Sequence, residues 1–199
     1  MPEHHYYLLH KPHGYLSQFI SNGHIKQRHK YLGELHDFAP GTMSVGRLDL
    51  QSEGLLLLTT DGKFSHDICK NGYEKEYYVQ VDGEITEQAI TDLILGVEIS
   101  INGELYQTLP AQVQQIDDPQ FAPRTKKVRD DRHGPSTWVS VIITEGKFRQ
   151  VRKMCAVVGF PVLRLVRVRV HNYLLSDLEL GEVREIELKL EREEKVGYR

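Results

Sequence analysis

The sequence predicts an α+β fold with a mixed, mostly antiparallel central sheet and flanking helices. Strand-like segments outnumber helical ones, and turn signals such as Asp82-Gly83 and Asn102-Gly103 separate neighbouring strands. The regular alternation of strand and helix that a doubly wound parallel sheet requires is absent. The chain of 199 residues fits one domain, with room for two lobes. We expect that domain over residues 1–190 and a charged, flexible tail over 191–199.

Segments rich in β-branched and aromatic residues predict the strands. In chain order they cover residues 5–9, 45–50, 54–59, 75–81, 97–101, 111–116, 136–144, 162–170 and 184–190. The runs 54–59 and 136–144 are apolar with little alternation, which is typical of strands that are buried on both faces. These two runs are therefore expected at the centre of the core.

Apolar residues at helical spacing predict four helices. They cover residues 31–38, 64–69, 86–96 and 149–158. Thr86 has the character of an N-cap, and Gly159 closes the last helix. Residues 117–135 are charged and contain proline and glycine, so they predict a long exposed loop of the kind that often has a function.

Charge is distributed unevenly along a chain whose net charge is −3. Residues 124–171 hold twelve Lys and Arg against three acidic residues, whereas residues 1–123 hold eight against seventeen. A basic block inside an otherwise acidic chain indicates a localised site for a polyanion. A solvated charged loop over residues 124–132 is the alternative for that part of the block.

Several classes of protein are disfavoured by what the sequence lacks. No apolar run reaches the roughly 18 residues of a membrane span, and no signal peptide is recognisable, so a cytoplasmic protein is expected. Cys69 and Cys155 are far apart and are expected as free thiols. We find no Walker loop, no dinucleotide-binding glycine motif and no metal-ligand spacing, so neither a cofactor nor a metal is expected.

Arg47 and Asp49 stand directly before the apolar run 54–59. This order places a carboxylate at the rim of a packed element, where it needs a cation or several donors. Carboxylates are retained at such positions mainly where chemistry is done. Asp49 is therefore the leading candidate for a catalytic group.

A basic helix and an aromatic strand supply the other candidate residues. Arg149, Arg152 and Lys153 are spaced i, i+3 and i+4 and share one helix face, which suits a carboxylate or a phosphate. Tyr77 and Tyr78 point to opposite faces of their strand, so one can face a cleft and stack on a base. A solvated basic helix and an ordinary strand tyrosine are the alternatives.

Together these motifs resemble the pseudouridine synthases of the RsuA/RluB/RluE/RluF group, over about residues 6–188. The resemblance is closest to the RluE subgroup, which modifies large-subunit ribosomal RNA. The matching residues are Lys11-Pro12, Gly46 to Asp49 with Gly54 to Thr59, the three positions Lys75, Tyr77 and Val79, Glu145 to Met154, and Gly159 to Leu165. The chain departs from the usual pattern at Ser52, Phe148, Lys153 and Phe160, none of which is a residue that we consider catalytic.

The resemblance implies a pseudouridine synthase fold with a catalytic cleft, in which a uridine of large-subunit (23S) ribosomal RNA is isomerised without a cofactor. Asp49 would act as nucleophile or as base, Arg152 would keep it ionised, and Tyr77 would pack on the uracil. The candidate contacts to RNA are Lys11, Arg47, Lys75, Lys147, Arg149, Lys153 and Arg164. We expect neither the N-terminal S4 domain of many relatives nor an oligomer, so a monomer is expected. The substrate would be ribosomal RNA, free or in an assembly intermediate.

Two other functions compete with this interpretation. A non-catalytic ribosomal RNA-binding module would keep the basic block without needing Asp49, Tyr77 and Arg152 together. A glycoside hydrolase could use Asp49 and Glu53 as paired carboxylates. One Trp in the chain makes an aromatic-rich sugar cleft implausible.

Overall fold

A mixed sheet of nine strands forms the centre of the molecule. The computed structural model describes residues 4–20, 29–124 and 134–188. Seven strands follow one another in the order β13-β1-β5-β11-β6-β10-β9, while β4 pairs with β5 and β12 pairs with β11. Their bounds are β1 Tyr6–Lys11, β4 Met43–Ser44, β5 Glu53–Thr59, β6 Lys75–Asp82, β9 Gln112–Ile116, β10 Ser136–Ile143, β11 Val162–Val170, β12 Tyr173–Leu174 and β13 Val183–Ile186.

The neighbouring strands of this sheet run antiparallel, except that β5 and β11 are parallel. Gly54 and Arg167 are partners in that parallel pair. Gly54 has a φ of +104°, and a Cβ there would lie 2.3 Å from the carbonyl oxygen of Arg167. Only glycine allows this close approach. The prediction of a mixed, mostly antiparallel sheet is confirmed.

Three helices and two small sheets complete the described structure. The helices are α1 Gly62–Lys70, α2 Glu87–Leu95 and α3 Gln150–Val157. A parallel pair joins β2 Tyr15–Leu16 to β3 Lys30–Tyr31, and a hairpin joins β7 Glu98–Ile101 to β8 Glu104–Gln107. Thr86 caps α2 as expected, because its side chain accepts a hydrogen bond from the backbone N–H of Ala89.

The central sheet is covered on both faces. One core contains Leu93 of α2 and Met154 of α3, with Leu56 of β5. The second core contains Ile68 of α1 and packs on the other side chains of β5, such as Leu55. Every residue of β5 is buried, which is why this strand shows no polar alternation in the sequence.

Two predicted elements are wrong. The helix expected over residues 31–38 is reduced to a single 3₁₀ turn, Leu32–Glu34. Leu32 is fully buried, and Phe38 packs edge-to-face on Tyr7 and Phe19, so the apolar spacing arises from a loop that folds over the core. The strand expected over 45–50 is also a loop, because Gly46 turns the chain with a φ of +66°.

Other predictions meet the limits of the described residues. Residues 117–124 have no regular structure, as predicted, whereas 125–133 and the tail 191–199 lie outside the described residues. The last strand ends at Ile186, so the prediction of 184–190 is correct only in part. Cys69 and Cys155 are free thiols, as expected. No helix in the described ranges is long and apolar enough to span a membrane.

Candidate active site

Asp49 lies in the loop between β4 and β5, at the end of a segment that is held firmly. Leu48 is buried, and the Ser17 hydroxyl both accepts from its N–H at 3.0 Å and donates to its carbonyl at 2.8 Å. The N–H of Ser52 closes the following turn by donating to the carbonyl of Asp49 at 3.0 Å. The Asp49 side chain is 26% exposed, so it is fixed in place and still reachable.

Two arginines from the start of α3 face the Asp49 carboxylate. A terminal nitrogen of Arg149 lies 3.5 Å from Asp49 Oδ2, and Arg152 Nε lies 3.7 Å from the same oxygen. The other end of Arg152 donates to the carbonyl of Gln51 at 3.1 Å and the hydroxyl of Ser52 at 3.2 Å. Arg152 is thus anchored on the loop that carries Asp49.

The Arg152 guanidinium has one N–H group that is not used in a hydrogen bond to any described residue. In the described part of the chain, its Nε is a buried nitrogen without a hydrogen-bond partner. Burial and the neighbouring Arg149 lower the pKa of Arg152, while Asp49 opposes that shift. An arginine stays charged under these conditions. The unsatisfied donor beside Asp49 is typical of a site whose hydrogen bonds shorten when substrate binds.

Arg149 has an unusual backbone conformation. It precedes α3 with a φ of +54° and a ψ of 32°, in the left-handed region that non-glycine residues seldom occupy. Such conformations persist where the surrounding structure imposes them, often at functional sites. Here the conformation accompanies the contact between the Arg149 side chain and Asp49.

Asp49, Tyr77 and Arg152 line a single cavity of about 230 Å³, together with Lys75 and Arg167. Tyr77 lies on β6 and is 8% exposed, while Tyr78 points to the opposite face, where it contacts Phe121. The expected division between the two tyrosines is therefore present. Whether these residues are catalytic stays a prediction.

Five of the seven predicted RNA contacts have side chains that are exposed or half-buried. Arg47 and Lys147 are exposed at the mouth of the cavity, whereas Arg149 and Lys75 are half-buried in its wall. Burial, with Arg167 nearby, lowers the pKa of Lys75. Lys153 Nζ donates to the carbonyl of Ser100 at 2.6 Å. These five residues stay candidates.

The predicted RNA contacts of Lys11 and Arg164 need correction, because both side chains are buried inside the protein. Lys11 has no exposed surface, and its Nζ donates to the carbonyls of Pro12 at 3.0 Å and Tyr15 at 2.7 Å. Arg164 binds Glu53 through two hydrogen bonds of 3.1 and 3.0 Å. Neither can reach an RNA phosphate in this structure.

The ion pair between Glu53 and Arg164 also argues against a glycoside hydrolase. Glu53 has no exposed surface and both of its oxygens are bound by Arg164. It is therefore not available as the second carboxylate that a glycoside hydrolase needs beside Asp49.

Sequence reasoning missed two residues that build the site. Glu145 joins the β7–β8 hairpin to α3, because it accepts from the hydroxyl of Tyr106 at 2.6 Å, the N–H of Leu109 at 2.9 Å and the side chain of Gln150. Arg167 is buried, donates from Nε to the carbonyl of Leu55 at 2.8 Å and lines the cavity. In the sequence Arg167 alternates with apolar residues of one strand, a pattern that gives no sign of a place in the site.

Comparison with known proteins identifies the family of this site. A model of the RNA pseudouridylate synthase family matches residues 5–157. A ribosomal large subunit pseudouridine synthase E of Vibrio vulnificus is 42% identical over 91% of this chain and 74% of its own length. Its counterpart in Xanthomonas axonopodis is 40% identical over 86% of this chain and 88% of its own length.

A solved structure agrees with these sequence relatives. A crystal structure of a pseudouridylate synthase superposes with a TM-score of 0.74, at 29% identity, over 94% of this chain and 72% of that chain. The fold, the family model and the sequence relatives thus agree. The chain belongs to the RNA pseudouridylate synthase family.

Proposed function

We propose that this protein converts a uridine of large-subunit (23S) ribosomal RNA to pseudouridine, with Asp49 as the catalytic carboxylate. The observation that carries the proposal is the half-exposed Asp49, which faces Arg149 and Arg152 at the mouth of a cavity lined by Tyr77. The names of the relatives support the choice of ribosomal RNA as substrate.

The reaction is an isomerisation in which the N1–C1′ bond of uridine breaks and a C5–C1′ bond forms. C5 then loses a proton and N1 gains one, so no net redox change occurs. Asp49 either attacks C1′ or removes the C2′ proton. Both routes start from the carboxylate anion, which the two arginines stabilise by opposite charge. Tyr77 supplies an apolar ring against which the uracil packs.

The reacting atoms of a nucleotide in a stacked helix are out of reach of Asp49. The uridine therefore leaves the stack and enters the cavity, at a cost of a few kcal/mol. The exposed Arg47 and Lys147 stand at the entrance, where they can bind the phosphates on either side. Arg152 Nε has an unused donor that can shorten its contact to Asp49 in the bound state.

Tritium release from an unmodified 23S ribosomal RNA transcript that carries 5-³H-uridine tests the proposal. We expect release by the wild type and none above background by Asp49→Asn. Asp177→Asn is the matched control, because Asp177 also pairs with an arginine, Arg184 at 3.0 Å, but on the surface away from the cavity. Wild-type turnover by Asp49→Asn would overturn the assigned mechanism.

A non-catalytic RNA-binding module predicts a different outcome of the same assay. It would bind the transcript in a salt-sensitive manner and release no tritium from free RNA or from immature particles. Asp49, Tyr77 and Arg152 line the same cavity. This arrangement favours the enzyme, because a binding module has no use for a carboxylate at that point.

The proposal extends to organisation and compartment. We expect one catalytic domain over residues 1–190, acting as a monomer in the cytoplasm, on free ribosomal RNA or an assembly intermediate. The central sheet that joins β1 to β13 supports the single domain, and the free Cys69 and Cys155 suit a reducing compartment. Light scattering of the purified protein tests the monomer.

A further inference from the structure

Phe148 is a large apolar side chain that the fold leaves in solvent. It lies in the loop before α3 and is 63% exposed. It belongs to neither of the two cores. Its ring has one described cation contact, with Lys153 Nζ 5.2 Å from the ring centroid. Folding therefore does not account for an aromatic residue at this position.

The surroundings of Phe148 indicate what it could bind. It lines an outer cleft of about 580 Å³ together with Arg47, Lys147 and Arg149. Three leucines also line the cleft, but Leu48 is buried and Leu16 and Leu50 are half-buried. The exposed side chains beside the ring are instead the cations Arg47 and Lys147, which disfavours an apolar patch for a protein partner. A π-face beside several positive charges is the arrangement with which proteins bind single-stranded nucleic acid.

The outer cleft is continuous with the cavity of the candidate active site. Gly46 to Asp49 and Gly146, Lys147 and Arg149 line both spaces. A nucleotide in the outer cleft is therefore adjacent in space to a uridine that occupies the cavity. The base of that nucleotide is the group that can reach the exposed ring of Phe148.

We propose that Phe148 stacks on the base of a nucleotide that flanks the extruded uridine. The proposal rests on the proposed function, because it assumes that RNA enters the cavity. The basic side chains around the ring hold the backbone of that nucleotide, and the ring holds its base. Since every base has a π-face, this contact adds affinity with little preference for sequence.

Binding of the unmodified 23S ribosomal RNA transcript tests the stack. All variants carry Asp49→Asn so that turnover does not alter the RNA. We expect Phe148→Ala to weaken binding roughly 5- to 150-fold. Phe148→Trp should bind as the parent does, while Phe148→Leu, which keeps an apolar side chain but no π-face, should resemble alanine. Leu174→Ala is the matched control, since Leu174 is 52% exposed and lines neither cavity.

The salt dependence of binding separates stacking from a charge effect. Phe148→Ala should leave the slope of log affinity against log salt unchanged, while Lys147→Ala should reduce it by roughly 0.7 to 0.9. Equal binding by parent, Phe148→Ala and Phe148→Leu would overturn the stack and leave the proposed function standing. Failure of the Asp49→Asn parent to bind the RNA would overturn both.

Discussion

Asp49 and Glu53 are four residues apart, and both carboxylates form ion pairs with arginines. The geometry of the two ion pairs nevertheless differs. Glu53 is fully buried and receives two hydrogen bonds of 3.0 and 3.1 Å from Arg164, with Arg124 at 3.9 Å. Asp49 is 26% exposed, and its nearest arginine nitrogens lie at 3.5 and 3.7 Å. The Glu53 ion pair is therefore closed to solvent, whereas the Asp49 ion pair is open to a cavity.

The difference shows that pairing alone does not mark a reactive carboxylate. A buried carboxylate with both oxygens occupied by one guanidinium has no lone pair directed at a substrate. Asp49 keeps opposite charge nearby while its oxygens stay accessible, which is what a nucleophile or a base requires. Under the proposed function, the Glu53 ion pair serves structure and the Asp49 ion pair serves chemistry.

The largest expected effect is on turnover. Asp49→Asn should lower tritium release by at least about 10²–10⁴-fold, because it removes the anion that reacts with the ribose. Glu53→Gln, assayed at a temperature where it is folded, should stay within a few-fold of wild type. A loss of turnover in folded Glu53→Gln that matched the loss in Asp49→Asn would erase the distinction between the two pairs.

The next largest effect is on the free energy of unfolding, where Glu53→Gln should cost more than Asp49→Asn. Glu53→Gln should lower the free energy of unfolding by about 3–5 kcal/mol, because Arg164 is left buried without its anion. Asp49→Asn should change it by less than about 1 kcal/mol, since that pair is partly solvated. Urea unfolding measures both values, and similar values for the two variants would contradict the comparison.

A smaller effect distinguishes the two arginines at Asp49. Arg152→Gln should lower turnover by about 10- to 100-fold, because the side chain that is anchored on Gln51 and Ser52 orients the carboxylate. Arg149→Gln should cost less turnover and more RNA affinity, because its side chain is 36% exposed. Single-turnover rates and binding constants separate the two effects. The reverse pattern would identify Arg149 as the residue that orients Asp49.

The smallest effect concerns Lys11, whose pKa is influenced by the carboxylates of both Glu53 and Asp49. Burial lowers the pKa of Lys11 to about 7, against opposing contributions from Glu53 and Asp49, with Arg167 adding to the decrease. Between that pKa and 10.5, the unfolded chain binds the extra proton, so stability rises with pH at on the order of 1 kcal/mol per pH unit. Lys11→Met should remove this slope between pH 7 and 9 in urea unfolding. An unchanged slope would mean that Lys11 is charged in the folded protein.

Much of the fold was predictable because local composition decides it. Residues 75–81 and 162–170 form strands since their β-branched and aromatic residues suit a pleated sheet. The helix predicted over residues 31–38 was wrong because their apolar residues pack on Tyr7 and Phe19 from a loop. Spacing alone does not distinguish such a loop from a helix. The loop at 45–50 depends on Gly46 and on Ser17, which is distant in sequence.

The site was predictable only where a residue type implies its chemistry. Asp49, Tyr77 and Arg152 do line one cavity. Nothing in the sequence distinguishes the charged side chains of Lys11 and Arg164, which are buried, from those of Arg47 and Lys147, which are exposed. Their fates depend on partners such as Glu53, which lies 111 positions from Arg164, and only the folded topology provides such partners.

The place of β11 in the sheet has a consequence for how the protein is made. This strand lies between β5, which follows Asp49, and β6, which carries Tyr77. A growing chain therefore cannot join the two halves of its site until residues 162–170 have left the ribosome. Chains stalled before residue 162 should expose two unpaired strand edges and be captured by chaperones. The enzyme we propose for ribosomal RNA gains its site only after residues 162–170 have been made.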